Sequence, residues 1–465
     1  PHAVDRHRLN AFVDRNFERY RDADIDPAAV SFVDGSVLNN KPFREAILAI
    51  KGRPAYRQVD RRLVYIDPHP ALDAVAEHRS APGFFAMVKG ALSDIPRSGP
   101  IADELDWVAG FNERVRRRKA IIEAARPQIA QMIAAAIGRP LDQPFTADQI
   151  RVWREMMTVE AARDAGFAYE GYVRLKIGSA RAFVSRLISE LCRVSARSPL
   201  ARLIDEVINA WAEREGIAYD RFGSQALHLE TAPSASGLPG WVRFLLSFDV
   251  EFRERRLHFL ILGQNRLYET LDESVAPSVG GLKRGFYQCL EKLRRRSEPS
   301  RFSPATRALS ETLLSGLAPP VDVSRMPQEA RALAERHAAL IAELVGRLAA
   351  EIDLDAGTRD VDLLLADAAA DGLSPAGRAE VLVNYLGFPF WDVLTFSVTG
   401  WRDAGEFDEI LVDRISPDDA AMLQRCGVSA TLKGIGFGHF AGFLSRAYRE
   451  NDYLLGRLHA VDRLV

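Results

Sequence analysis

Apolar positions follow two rhythms along this chain. Phe43, Ala46, Ile47 and Ile50 recur at the three- and four-residue spacing that gives a helix one apolar face, with Pro42 suited to its first turn and Gly52 to its end. Short apolar runs flank this segment. Val30–Val33 and Arg61–Ile66 read as buried strands, so residues 30–66 form one βαβ unit with a parallel pair and a right-handed crossover. From Ala102 to Ile137 a long helix is predicted, with Leu105, Val108, Phe111 and Val115 on one stripe and a kink at Pro127. Helical periodicity continues over about 147–165, 180–194 and 199–215. Residues 241–271 carry phenylalanines at helical spacing (Phe244, Phe248, Phe252, Phe259) among β-forming residues, and helix is the preferred reading. Breaks fall near 94–100, 231–240, 297–304 and 317–327. Toward the end, Val393–Val398 and Glu409–Asp413 read as strands. Ser416-Pro417-Asp418-Asp419 reads as a helix start, and a last helix is expected from about Phe440 to Leu458.

Composition changes this picture little. In 465 residues, 47% are hydrophobic and 27% charged, as in ordinary globular proteins, and there is room for two or three domains. A net charge of −2 gives no global electrostatic case for nucleic acid. No apolar run reaches the ~18 residues of a membrane-spanning helix, so membrane contact is expected to be peripheral at most. Cys192, Cys289 and Cys426 are too sparse for a disulfide framework or zinc site and suit a reducing compartment. Nine histidines show no metal-ligand spacing, so no metal is expected, and His439 and His459 are most simply structural.

The candidate chemistry lies between the first strand and its helix, at Phe32-Val33-Asp34-Gly35-Ser36-Val37-Leu38-Asn39-Asn40-Lys41-Pro42. A carboxylate at a strand end, followed by glycine, can turn sharply into a cleft. A plain Asp-Gly turn with asparagines satisfying the helix start explains the same residues. The pattern D-G-x-x-x-x-N-x-P resembles the second catalytic motif of patatin-like lipid acyl hydrolases, with Ser36 where that family commonly has Gly or Ala. Three further blocks resemble bacterial patatin-related proteins with a long C-terminal extension: Gly387–Thr395, Arg414–Ala420 and Arg449–Leu458, alongside Leu63–Pro68.

The resemblance implies a mixed, mainly α fold. Residues 1–75 would be the C-terminal βαβ edge of a patatin-type α/β sheet domain. Residues 76–465 would be a mostly helical extension with a few strands and a sub-boundary near 231–240. It implies a phospholipase- or lysophospholipase-type ester hydrolase using a Ser-Asp dyad, without metal or organic cofactor. Asp34 would be the general base, with Gly35, Ser36, Asn40 and Pro42 positioning it. The expected partner is a lipid or phospholipid, with a cytoplasmic or membrane-peripheral location. No serine here is flanked by glycines at both −2 and +2. The nucleophile is therefore expected on an N-terminal segment outside this sequence, and the chain alone is expected to be inactive. The alternative is a non-catalytic helical interaction or membrane-peripheral module.

Four other clusters carry candidate chemistry. The glycine-rich Lys433–Phe440 loop could cradle phosphate, line an acyl or head-group site, or be structural; the last is preferred. The basic runs Arg114–Lys119 and Arg253–Arg256 read as solvated, ion-paired helix faces, with anionic lipid attraction as the functional option. Arg446, Arg449, Glu450, Asn451, Asp452 and Arg457 read as a buried Arg–carboxylate network beside a buried face of Phe440, Phe443, Leu444, Tyr448 and Leu455.

Overall fold

The computed structural model describes residues 61–66, 101–219, 238–270, 276–319, 323–399, 409–416, 431–435 and 441–464, with isolated residues before 47. Helices dominate: α1 (Ile101–Ile137), α2 (Ala147–Ala165), α3 (Ala168–Leu191), α4 (Pro199–Arg214), α5 (Gly240–Phe248), α6 (Val250–Thr270), α7 (Ala276–Arg296), α8 (Pro304–Ser315), α9 (Met326–Arg336), α10 (Ala338–Ile352), α11 (Leu354–Asp371) and α12 (Pro375–Thr399). Strands β1 (Arg61–Ile66) and β2 (Ile410–Ile415) pair as a two-stranded sheet, and α13 (Ala441–Leu444) and α14 (Arg446–Leu464) end the described chain. The architecture is thus mainly helical with a small open sheet. No described helix is long and apolar enough to cross a membrane.

Two compact units divide the chain: residues 1–50, 62–109 and 410–465, and residues 51–61 and 110–409. In the first, Arg62 on β1 pairs with Asp413 on β2 at 3.0 Å. β1 is not the buried strand its composition suggests, because Val64 and Ile66 are exposed. The asparagine, glycine and proline positions of the Asp34 motif, and Asp34 itself, lie outside the described residues.

The helical unit follows its sequence signals closely. Thr146 and Gln149 close a capping box on α2. Ser198 and Ser303 cap α4 and α8, each followed by proline at the first helical position. On α4 the buried residues Leu203, Ile204, Val207, Ile208 and Trp211 repeat at helical period. That face packs against α3 and α9, while α6 packs against α7 and α12, and α2 against α11 and α12. A single apolar core runs from Ile122 to Phe396.

Three expectations change. Val393–Val398, read as a strand, lies within α12, which continues through Pro389. Burial of its motif residues decides this: Phe388, Phe390 and Trp391 are at most 3% exposed. Contacts from several directions outweigh the weak intrinsic β preference of the run. The second change is in α14, where Phe443, Leu444 and Tyr448 are exposed rather than forming a buried face. Of the accompanying polar set Arg446, Arg449, Glu450, Asn451 and Arg457 are exposed and Asp452 is half-buried, and the set ties backbone together instead of forming a buried ionic network. Arg446 pairs with Glu450 one turn away, and Arg449 donates to the carbonyls of Gly442 and Phe443. Asn451 donates to Thr431 O. The third change, at Arg253–Arg256, creates the site below.

Candidate functional site

Asp249 organises the site. Its backbone N–H closes the last turn of α5 on Leu245 O. Its carboxylate then accepts from the Phe252 N–H at 3.0 Å, capping the start of α6. The second carboxylate oxygen takes the Lys176 ammonium of α3 at 2.7 Å. One acidic residue therefore stops a helix, starts the next and anchors a buried cation. Gly166, at φ +53°, lets the chain turn from α2 into α3 beside it, a conformation a side chain would strain.

These elements enclose a cavity of about 450 Å³, within the ~300–1,000 Å³ range of small-molecule sites. Its wall is part aromatic and aliphatic, with Tyr219, Trp241, Val242 and Leu245, and part cationic, with Arg154, Lys176, Arg253 and Arg256. Arg253 and Arg256 lie three residues apart and share a face of α6, whereas Arg255 between them is rotated off it. All three are buried, at 9%, 5% and 6% exposure, so the expected solvated face does not exist. The sequence did hold a signal: Phe252, Leu257, Phe259 and Leu260 surround the run with apolar positions on every side, as on a fully buried helix.

Each buried cation has a different environment. Arg255 forms a two-pronged pair with Asp392 of α12 at 2.7 and 2.8 Å, and Tyr172 donates to the same carboxylate at 2.6 Å. Burial alone would lift the Asp392 pKa, but the Arg255 charge outweighs it and holds the carboxyl below its ordinary range. Arg154 reaches Asp362 at 3.3 Å, and Tyr385 donates to that carboxylate from α12. Arg253 donates to Asp249 O at 3.0 Å and Leu246 O at 2.8 Å, beside the C-terminal end of α5. Burial pulls its pKa down to about 10. Arg256 makes no hydrogen bond or ion pair with a described residue; it stacks 4.8 Å from the Tyr385 ring centre and 5.7 Å from that of Phe252. Burial lowers its pKa too. Lys176 is lowered by burial against the opposing pull of Asp249, and burial pushes the Tyr169 phenol up to about 12.

Two quoted motifs acquire structural explanations. In the Gly387–Thr395 block, a side chain at Gly387 would come within 2.8 Å of Ile129 and Trp391. Trp391 donates its indole N–H to Ile122 O at 3.2 Å, and Phe388 packs on Phe252 and Phe259. Pro389 and Val393 line the cavity. In the glycine-rich loop, Asp452 accepts from the Lys433 and Gly434 N–H groups at 2.8 and 2.7 Å. These donors, which a phosphate would need, already serve an internal carboxylate. Of the other basic run, Arg118 is buried and Arg116 pairs with Glu409.

Among the described residues, no group of three or more His, Cys, Asp or Glu could hold a metal ion. The site residues expected from sequence (Asp34, Gly35, Ser36, Asn40, Pro42) are outside the described residues, so the cavity and the Asp34 motif are separate observations. Residues 329–465 match the model of a family described as a protein of unknown function, DUF3376. No curated protein matches the chain, and no solved structure does.

Proposed function

We propose that this chain is the C-terminal part of a serine lipid acyl hydrolase of the patatin-like type, with Asp34 as the base that deprotonates the serine. The observation that carries this reading is the sequence order of residues 30–42, an apolar run followed by Asp-Gly, Asn and Pro. A strand at Arg61–Ile66 agrees with that order, and the strand it is hydrogen-bonded to is β2. Asp34 would take the serine proton directly, and Gly35 would let the turn bring the carboxylate to it. Ser36, Asn40 and Pro42 would fix the turn and the helix after it. The substrate class is an acyl ester of a lipid, reached from solution or from a membrane surface.

The test uses the full-length protein with a serine-reactive fluorophosphonate and a short-chain phospholipid. Fluorophosphonate labelling, ester turnover, and at least a ~100-fold loss in Asp34→Asn at unchanged helicity are expected for a lost general base. Unchanged turnover in that variant rejects Asp34 as the base.

A second reading is favoured by the cavity: a helical binding module without chemistry of its own. Buried guanidinium groups facing a partly apolar chamber suit ligand capture. Full-length protein that binds lipid but neither labels nor turns over ester supports this reading instead.

A further inference from the structure

The charges around the cavity do not balance. Five cations line it, Arg154, Arg163, Lys176, Arg253 and Arg256, and Arg163 pairs with Glu160. Two buried carboxylates answer two of them: Asp362 pairs with Arg154 and Asp249 with Lys176. Asp392 belongs to Arg255. That leaves Arg253, which donates to backbone carbonyls while the Asp249 charge acts on it, and Arg256, which rests on aromatic faces and makes no ion pair with a described residue, the Asp362 charge acting on it without a hydrogen bond. Asp355 acts on Arg253 from beyond ion-pair distance and is exposed. The Nε atoms of both arginines are occluded and lack acceptors. Burying a charge without a partner is costly, and such groups are normally paired or neutralised. Arg256 is 5% exposed and stands in the cavity wall. Away from it the wall is Trp241, Val242, Leu245 and Tyr219, surfaces suited to a hydrocarbon or ring.

We propose that this cavity binds a single-chain amphiphile with an anionic head, a carboxylate or a phosphate monoester, seated on Arg256 and Arg253 with its tail along Trp241 and Leu245. A planar guanidinium takes either head through paired N–H donors. The fit stands on the cavity alone. It is independent of Asp34, so binding unchanged in Asp34→Asn separates a failure of this site from a failure of the hydrolase reading.

Calorimetric titration of the full-length protein with decanoate, decyl phosphate, 1-decanol and inorganic phosphate, below micelle-forming concentrations, tests it. Decanoate or decyl phosphate should saturate one site, and the tighter of the two identifies the source as a free fatty acid or a phosphorylated lipid. Decanol and inorganic phosphate should each bind at least about tenfold more weakly than the tighter amphiphile, the loss of one charged hydrogen bond or of most of the tail. Arg256→Met should weaken binding about tenfold or more, while its ligand-free melting temperature stays level or rises because an unpaired buried charge has gone. Arg253→Gln is the second variant, with the same loss expected, and Arg347→Gln on a remote exposed face should change nothing. Absence of binding by both amphiphiles, decanol binding as tightly as they do, phosphate alone binding as tightly as decyl phosphate, or undiminished binding in Arg256→Met and Arg253→Gln would each overturn the proposal.

Discussion

Asp392→Asn is the sharpest test of how the helical unit is held together. The wild-type carboxylate accepts from Arg255 Nε and Nη2 at 2.7 and 2.8 Å and from Tyr172 at 2.6 Å, and it is 3% exposed. Asparagine keeps the volume but brings one acceptor where two oxygens stood, and it turns an N–H₂ group toward donors. Arg255 would be left as a buried charge without its counter-ion. Breaking a buried pair from one side costs about 3–5 kcal/mol. This is a large share of the ~5–15 kcal/mol that holds a domain folded. With an m-value of about 3 kcal/mol/M, the urea midpoint should fall by about 1–1.7 M, and the melting temperature by about 6–20 °C. Circular dichroism in urea measures the first and calorimetry the second. The combined variant Tyr172→Phe, Arg255→Met, Asp392→Leu removes donors, charge and acceptor together, so it should recover most of the loss. A single variant costing under about 1 kcal/mol, or a triple variant as unstable as the summed single changes, would refute this account of the pair.

The same carboxyl gives a pH prediction. Its folded pKa is depressed, so its stabilisation is present above the ordinary value of 3.8 and lost as pH falls through the folded one; the gap between wild type and Asp392→Asn in urea midpoint should narrow below about pH 4. Gly387→Ala should cost about 1–3 kcal/mol, because the added carbon meets Ile129 and Trp391 at 2.8 Å in a packed core; a neutral result in chemical denaturation would show that this contact relaxes freely. Asp452→Ala should speed hydrogen exchange at the Lys433 and Gly434 amides at least about tenfold, with the melting temperature of the helical unit unchanged; protected amides would mean another acceptor holds the loop.

Much of the helical unit was legible in the sequence because its cues are local. Ser198-Pro199 and Ser303-Pro304 start helices, and apolar spacing along α1 and α4 marks their buried faces. β2 likewise appeared where its apolar run sits. The buried arginines of the cavity were not legible in the same way. By sequence Arg253 and Arg256 read as a water-facing charge run because Glu254 alternates with them, yet the helix carrying them has apolar neighbours all round. Val393–Val398 read as strand by composition and folds as helix because α12 is packed by α2, α3 and α6. The last helix erred the other way: Phe443, Leu444 and Tyr448 gave it an apolar face that the fold leaves exposed.

By itself the sequence determined most of the helical segments and several of their caps, Ser198 and Ser303 among them. Only the tertiary structure decided which charges meet. Lys176, Arg256 and Tyr385 come from helices far apart in the chain, and whether a guanidinium faces water, a carboxylate or a cavity depends on neighbours that converge from several elements. A helical repeat fixes the direction a side chain takes from its own axis, while the dielectric and the counter-charge it meets there belong to the packing of the whole unit.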